Sequence, residues 1–212
     1  MNNQIGLIGL GTMGANLARN FAHNGIKIAV YNRTAQVTQE FIENFGEEGE
    51  ITAYEKLGDF VKSIEAPRKI ILMVTAGSPI DSVINELKLY LEPRDIIIDG
   101  GNSHYKDTIA RTAKLKSSQI EYIGCGISGG EKGALVGPSM MPGGSKSSLY
   151  EILPLFQQIA AKDFKGDPCI DMFVGVGAGN LIKTLHNGIE YGIMQALADV
   201  YYMLKEIYFL EP

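Results

Sequence analysis

The chain has 212 residues, 45% of them hydrophobic and 20% charged, a make-up that suits one folded core with a small appendage and excludes disordered and fibrous classes. Its formal net charge is -5, with lysines and arginines scattered among the acids, so no basic stripe for nucleic acid is present and an anionic ligand must be held by local groups. The first eleven residues carry no positive segment, and glycine breaks their apolar run, which argues for a strand and against a signal peptide or a membrane span.

In chain order, short β-branched apolar runs recur at 4–8, 27–31, 69–74, 95–99 and 121–124, with helical patterns between them. Continuous apolar strands alternating with amphipathic helices predict a doubly wound, Rossmann-type α/β domain with a parallel sheet. The first helix is expected over 13–24, stopped by Gly25; a second is opened by Ser78-Pro79, and Ser103 is expected to cap a third. From 125 to 148 the composition shifts to Gly, Ser, Pro and Met and reads as a long connection, with Met140-Met-Pro-Gly-Gly144 as a rigid turn. A short helix follows over 149–161. After Gly175-Val-Gly-Ala-Gly179 comes an uninterrupted helical pattern over about 180–208, expected to leave the sheet domain. The predicted division is 1–176 for the dinucleotide-binding domain and 177–212 for the long helix that begins a further all-helical domain. The apolar end of that helix (Tyr201, Tyr202, Leu204, Ile207, Tyr208, Phe209) suggests a partner surface.

Gly9-Leu10-Gly11-Thr12-Met13-Gly14 lies between a predicted strand and a predicted helix, the context in which G-x-G-x-x-G becomes a dinucleotide fingerprint. Gly9 permits the turn, Gly11 lets the backbone approach a pyrophosphate, and Gly14 lets helix and strand pack closely, with the helix N-terminus facing the anion. NAD sites place an acid at the end of the second strand, roughly 20 residues on, to hold the ribose hydroxyls. Here Asn32-Arg33-Thr34 stands instead. A unit charge pair at about 4 Å is worth roughly 4 kcal/mol at an effective dielectric of about 20, so an arginine–phosphate contact favours NADP over NAD. Val74-Thr75-Ala76 ends another strand on the same sheet edge and is expected to pass near the cofactor.

Two further loops converge on that edge: Asp99-Gly-Gly-Asn102, and Ser128-Gly129-Gly130, whose backbone N–H groups could meet a carboxylate. Lys183, His186, Asn187, Glu190 and Tyr191 fall at steps of three and four, on one face of the long helix. That stripe carries a base, an acid and amide donors together, whereas a plain wet face is the ordinary alternative. A lysine acts as general base when its pKa falls towards neutrality, and a glutamate as general acid when its own rises. No His/Cys/Asp cluster has metal-ligand spacing, so metal-independent chemistry is expected. Cys125 and Cys169 read as reduced thiols suited to the cytoplasm, although spacing leaves pairing open. His23 and His104 read as surface or supporting residues.

The motifs GLGTMG, NRT, IIIDGGNS, GISGGEKGALVGPSMMPGG and GAGNLIKTLHNGIEYG resemble the decarboxylating 6-phosphogluconate dehydrogenase family over essentially the whole chain. The resemblance implies oxidation of the 3-hydroxyl of 6-phosphogluconate by hydride transfer to NADP+, loss of CO2, and tautomerisation to ribulose 5-phosphate, in the pentose phosphate pathway. On that pattern Lys183 takes the hydroxyl proton and Glu190 protonates the enediol carbon. Asn102, Ser128, Gly129, Gly130, His186 and Asn187 would bind the sugar acid, with Tyr191 at its phosphate and Asn32, Arg33 and Thr34 at the 2′-phosphate of NADP. Departures are Leu10 in a glycine turn that often carries alanine, Thr75 where lysine is common, Asn180 for a usual histidine, and Leu135-Val136 for a usual Arg-Tyr pair. The resemblance also implies a large helical domain beyond the sequence given, and a homodimer for the whole family member. The chain is therefore expected to be a fragment that binds NADP and is weak or inactive as a catalyst. Two rival readings are an NAD-dependent β-hydroxyacid dehydrogenase and a non-catalytic NADP-binding module.

Overall fold

The computed structural model describes residues 2–209, so the last three residues of the segment 177–212 lie outside the described residues. Six strands form a parallel array: β1 (Ile5–Ile8), β2 (Ile28–Tyr31), β3 (Ile51–Tyr54), β4 (Lys69–Leu72), β5 (Ile96–Asp99) and β6 (Glu121–Ser128). β7 (Ser139–Gly144) pairs antiparallel with β6, and β8 (Phe173–Val174) runs parallel to β7, in the order β3-β2-β1-β4-β5-β6-β7-β8. The sheet is thus doubly wound as expected, but mixed at one end. Strand order reverses between β1 and β4, which opens a crevice at their carboxyl ends.

Both faces of the sheet are covered, which is why its central strands are mostly apolar, with Lys69 opening β4 and Asp99 closing β5. On one face α1 (Thr12–His23), α2 (Ala35–Phe45) and α7 (Lys146–Ile159) contribute Leu17, Phe21, Phe41, Leu149, Ile152 and Phe156 to a core with Ile5, Leu7, Val30 and Ile98. The Phe21 and Phe156 rings lie 6.0 Å apart, both buried, and truncating either to alanine would cost roughly 3–5 kcal/mol. On the other face α3 (Leu57–Lys62), α4 (Ser78–Leu87) and α5 (Tyr105–Leu115) pack Phe60, Ile80, Ile84, Leu87 and Leu115 against Ile70, Leu72 and Ile97.

Several expectations need correction. The segment 125–148 is no loose connection: it holds the end of β6, the helix α6 (Gly130–Val136) and β7. Met140 to Gly144 is strand, with Cys125 opposite Pro142 and Gly124 opposite Gly143. Its glycines serve close packing, since a Cβ on Gly143 would run into the backbone N of Gly179. Ser103 does not cap α5; His104 does, its Nδ1 accepting the Lys106 N–H at 3.2 Å, and Ser103 is buried instead. The strand β3 was not anticipated. The first helix and its glycine stop agree with expectation, with Gly25 at φ 73°.

The long helix α8 (Ala178–Tyr202), continued by a π-helical turn (Met203–Ile207), begins against the sheet and then leaves it. Gly179, Asn180 and Lys183 are buried, whereas Leu185, Ile189, Ile193, Leu197, Tyr201, Tyr202, Leu204, Ile207, Tyr208 and Phe209 are exposed. Among the described residues no helix is long and apolar enough to cross a membrane.

Candidate functional site

Gly9 closes the turn after β1 at φ 100°, where a Cβ would collide with the Met73 carbonyl, and a Cβ on Gly14 would collide with the Gly9 carbonyl. A Cβ on Gly11 would meet nothing within 4 Å. Two glycines of the motif are therefore required by the protein itself, and the third leaves a space open to a ligand. Gly11 is the N-cap of α1 without a side-chain bond, and the helical ladder starts with the Ala15 N–H to the Gly11 carbonyl at 2.8 Å. The N–H groups of Thr12, Met13 and Gly14 precede that first bond and, with the helix dipole, suit an anion. The turn is pinned by Asn32, whose Oδ1 accepts the Leu10 N–H at 3.1 Å.

A cleft of about 310 Å³ opens beside this turn, lined by Gly9, Gly11, Asn32, Arg33, Thr34, Val74 and Thr75, with Pro79, Val83 and Glu86 of α4 opposite. The Asn32 amide is used within the protein, its Nδ2 donating to the Thr34 carbonyl at 3.2 Å. Arg33 and Thr34 are exposed, and Arg33 makes no hydrogen bond or ion pair among the described residues. Burial, reinforced by the Glu86 carboxylate and opposed by Arg33, raises the Tyr31 phenol above its ordinary value. A larger depression of about 400 Å³ between α2 and β3 is lined by Glu43, Glu47 and Glu48 and is unsuited to a polyanion.

Behind the cleft, Gly101 presses on the Val74 carbonyl so closely that a Cβ there would overlap it, which brings the loops after β4 and β5 into contact. Asn102, at φ 60°, joins Ser103, Asn180, Lys183, Thr184 and Asn187 around a small cavity of about 50 Å³. Lys183 is 9% exposed, and its Cβ sits 2.5 Å from where a Cβ on Gly126 would be. Burial pushes its ammonium pKa below the ordinary value, partly opposed by Glu190. Ser128 Oγ lies 3.3 Å from His186 Nε2, and His186 Nδ1 lies 3.2 Å from Asn187 Oδ1 and 3.7 Å from Glu190 Oε2.

The structure thus brings together Asn102, Lys183, Asn187, Ser128 and His186. Gly129 and Gly130 sit at the start of α6, both at positive φ, where the loop bends next to Ser128. Among the described residues Glu190 reaches this group through His186, at 3.7 Å, and Tyr191 is 70% exposed further along α8. Ala76 lies exposed at the rim of the loop after β4. Asn180 accepts the Thr108 hydroxyl at 2.9 Å, and its buried Nδ2 has no partner among the described residues. Sequence reasoning passed over Glu86 and the buried Arg111. The three-to-four spacing from Pro79 through Val83 was the available signal for Glu86; Arg111 offered none.

A doubly wound sheet whose switch-point crevice is closed by a bare glycine turn defines a nucleotide-cofactor-binding domain of the Rossmann type. The chain belongs to the 6-phosphogluconate dehydrogenase family. Residues 4–175 match the profile described as the NAD binding domain of 6-phosphogluconate dehydrogenase, and residues 179–212 that of its C-terminal domain. A Bacillus subtilis protein named 6-phosphogluconate dehydrogenase, NAD(+)-dependent, decarboxylating is 50% identical over 97% of the chain, and the NADP(+)-dependent one of that organism is 47% identical over 96%. The chain spans only 44% and 43% of their lengths. A Plasmodium falciparum 6-phosphogluconate dehydrogenase, solved in apo form and with its cofactor NADP+ and its substrate 6-phosphogluconate, superposes with a TM-score of 0.92. It is 38% identical and covers 98% of this chain and 44% of its own.

Proposed function

We propose that the chain supplies the NADP site and the catalytic lysine for oxidative decarboxylation of 6-phosphogluconate to ribulose 5-phosphate and CO2. The observation that carries this reading is Lys183, buried beside Asn102 and Asn187, with its pKa lowered by burial, directly behind a glycine-turn cleft. NADP, when bound, accepts the hydride. Lys183 Nζ, its pKa lowered by burial, takes the proton of the reacting hydroxyl and then donates to the ketone oxygen. Asn102 and Asn187 orient the sugar acid, and Ser128 with the N–H groups of Gly129 and Gly130 receives its carboxylate. Glu190 returns a proton to carbon, Tyr191 reaches the substrate phosphate, and His186 aligns Ser128 with Glu190.

The preference for NADP rests on Arg33, which lines the cleft without an internal partner, whereas an NAD site would ordinarily carry an acid there. Gly9 to Gly14 hold the pyrophosphate, and Val74, Thr75 and Ala76 flank the cofactor. The proposed division is 1–176 and 177–212, the second segment leading into a helical domain that completes a homodimeric enzyme of the cytoplasm. A second reading, in which the chain alone is a nucleotide-binding module, is supported by the match of residues 4–175 to a nucleotide-binding domain.

The test is thermal unfolding of the purified chain with NADP+, then with 6-phosphogluconate added, beside a Lys183→Ala control and an absorbance assay for NADPH. Added protection by the sugar acid over that of NADP+ supports the substrate site. Protection by NADP+ with no further shift and no turnover leaves the module reading.

A further inference from the structure

A single guanidinium ties together the two loops that meet between the cleft and the lysine cavity. Arg111, on α5, is 3% exposed. Its Nη1 donates to Ser103 Oγ at 2.8 Å and to Asp99 Oδ2 at 3.4 Å, and its Nη2 donates to the Gly77 carbonyl at 3.1 Å. Its Nε donates to Asp81 Oδ1 at 2.9 Å. Asp99, fully buried at the end of β5, also accepts the Gly101 N–H at 2.9 Å and the Tyr122 hydroxyl at 2.7 Å.

These bonds have one geometric result. Gly77 terminates the loop whose Val74 and Thr75 line the glycine-turn cleft, and Gly101 to Ser103 form the loop whose Asn102 lines the Lys183 cavity. We propose that Arg111 is a positioning residue that fixes these two loops to one another and so sets where the nicotinamide end of the cofactor lies relative to Lys183. The proposal rests on the cofactor reading above. Lysine could neutralise Asp99 but could not reach acceptors on three elements, because that requires the planar fork of a guanidinium. Losing the guanidinium would also strand Asp99 as a buried carboxylate without its cation.

The test compares two ligands by calorimetry on the folded chain: NADP+, which spans both halves of the site, and adenosine 2′,5′-bisphosphate, which fills only the adenosine half. The variants are Arg111→Lys and the milder Ser103→Ala, which removes one acceptor and keeps the test open where the lysine variant does not fold. NADP+ affinity is expected to fall about tenfold in the first and about threefold in the second, with the bisphosphate affinity unchanged. Equal loss for both ligands, or unaltered NADP+ affinity in a folded variant, overturns the positioning role. Failure of the unmutated chain to bind either ligand sinks the cofactor reading itself, and this proposal with it.

Discussion

Asn32 Oδ1 accepts the backbone N–H of Leu10 at 3.1 Å, so the glycine turn after β1 is held from the end of β2. Asparagine here acts on the loop, and the free groups beside it belong to Arg33 and Thr34. Asn32→Asp keeps the acceptor for Leu10, loses the donation to the Thr34 carbonyl, and adds a negative charge next to Arg33. We expect NADP+ affinity to fall about tenfold, with NAD+ affinity unchanged or improved, because an acid at this strand end suits ribose hydroxyls. Calorimetric titration with each cofactor decides it, and an unaltered NADP+ affinity would refute the assignment of the phosphate to this corner.

Two of the three glycines of the turn should separate by experiment. Gly11→Ala adds a methyl that meets no protein atom within 4 Å, so its urea midpoint should match that of the unmutated chain while NADP+ binding drops by about tenfold or more. Gly14→Ala drives a methyl onto the Gly9 carbonyl and should cost about 1–3 kcal/mol of stability. If Gly11→Ala binds NADP+ normally, the pyrophosphate does not lie on this turn.

Lys183 carries a stability cost whose pH dependence has a definite sign. Its folded pKa lies below the ordinary 10.5 because burial disfavours the ammonium, so between the two values the unfolded chain binds more protons than the folded one. The penalty is complete below the folded pKa and disappears as pH rises towards 10.5. Lys183→Met should therefore raise the melting temperature near pH 7, and the gain should shrink at alkaline pH. A gain that is constant from pH 7 to beyond pH 10.5, read by differential scanning calorimetry, would mean that Lys183 is solvated as an ordinary surface lysine.

The parts of this molecule that are legible in the sequence are those where one chemical demand acts on consecutive residues. The turn from Gly9 to Gly14 is one, because the positive φ of Gly9 and the crowding of Gly14 against the Gly9 carbonyl both arise within the motif. The polar stripe of α8 is another, since helical spacing alone aligns Lys183 with Asn187 and Glu190. Spacing did not reveal how far the sheet reaches along that helix, and so gave Lys183 and Tyr191 equal weight although one is buried and the other open. Met140 to Gly144 was misread because glycine and proline signal turns when seen locally, while here Gly143 leaves room for the backbone of Gly179 on a helix from elsewhere in the chain. Arg111 was invisible for a related reason: its acceptors Gly77, Asp81, Asp99 and Ser103 lie between 8 and 34 positions away, with no shared motif.

The seat of α8 has a further consequence. A Cβ on Gly124 would strike the Asn180 side chain, one on Gly143 the Gly179 backbone, one on Gly179 the Met141 carbonyl, and one on Gly126 the stem of Lys183. These positions already hold the smallest residue there is, and the next size up does not fit. The height of the helix over the sheet therefore has no fine adjustment: gradual change by mutation is closed off at the contact itself. An exception is the Gly124 contact, where the partner is a side chain, that of Asn180, which also accepts the Thr108 hydroxyl, so exchange at position 180 is a place where the contact can still be tuned from the helix side.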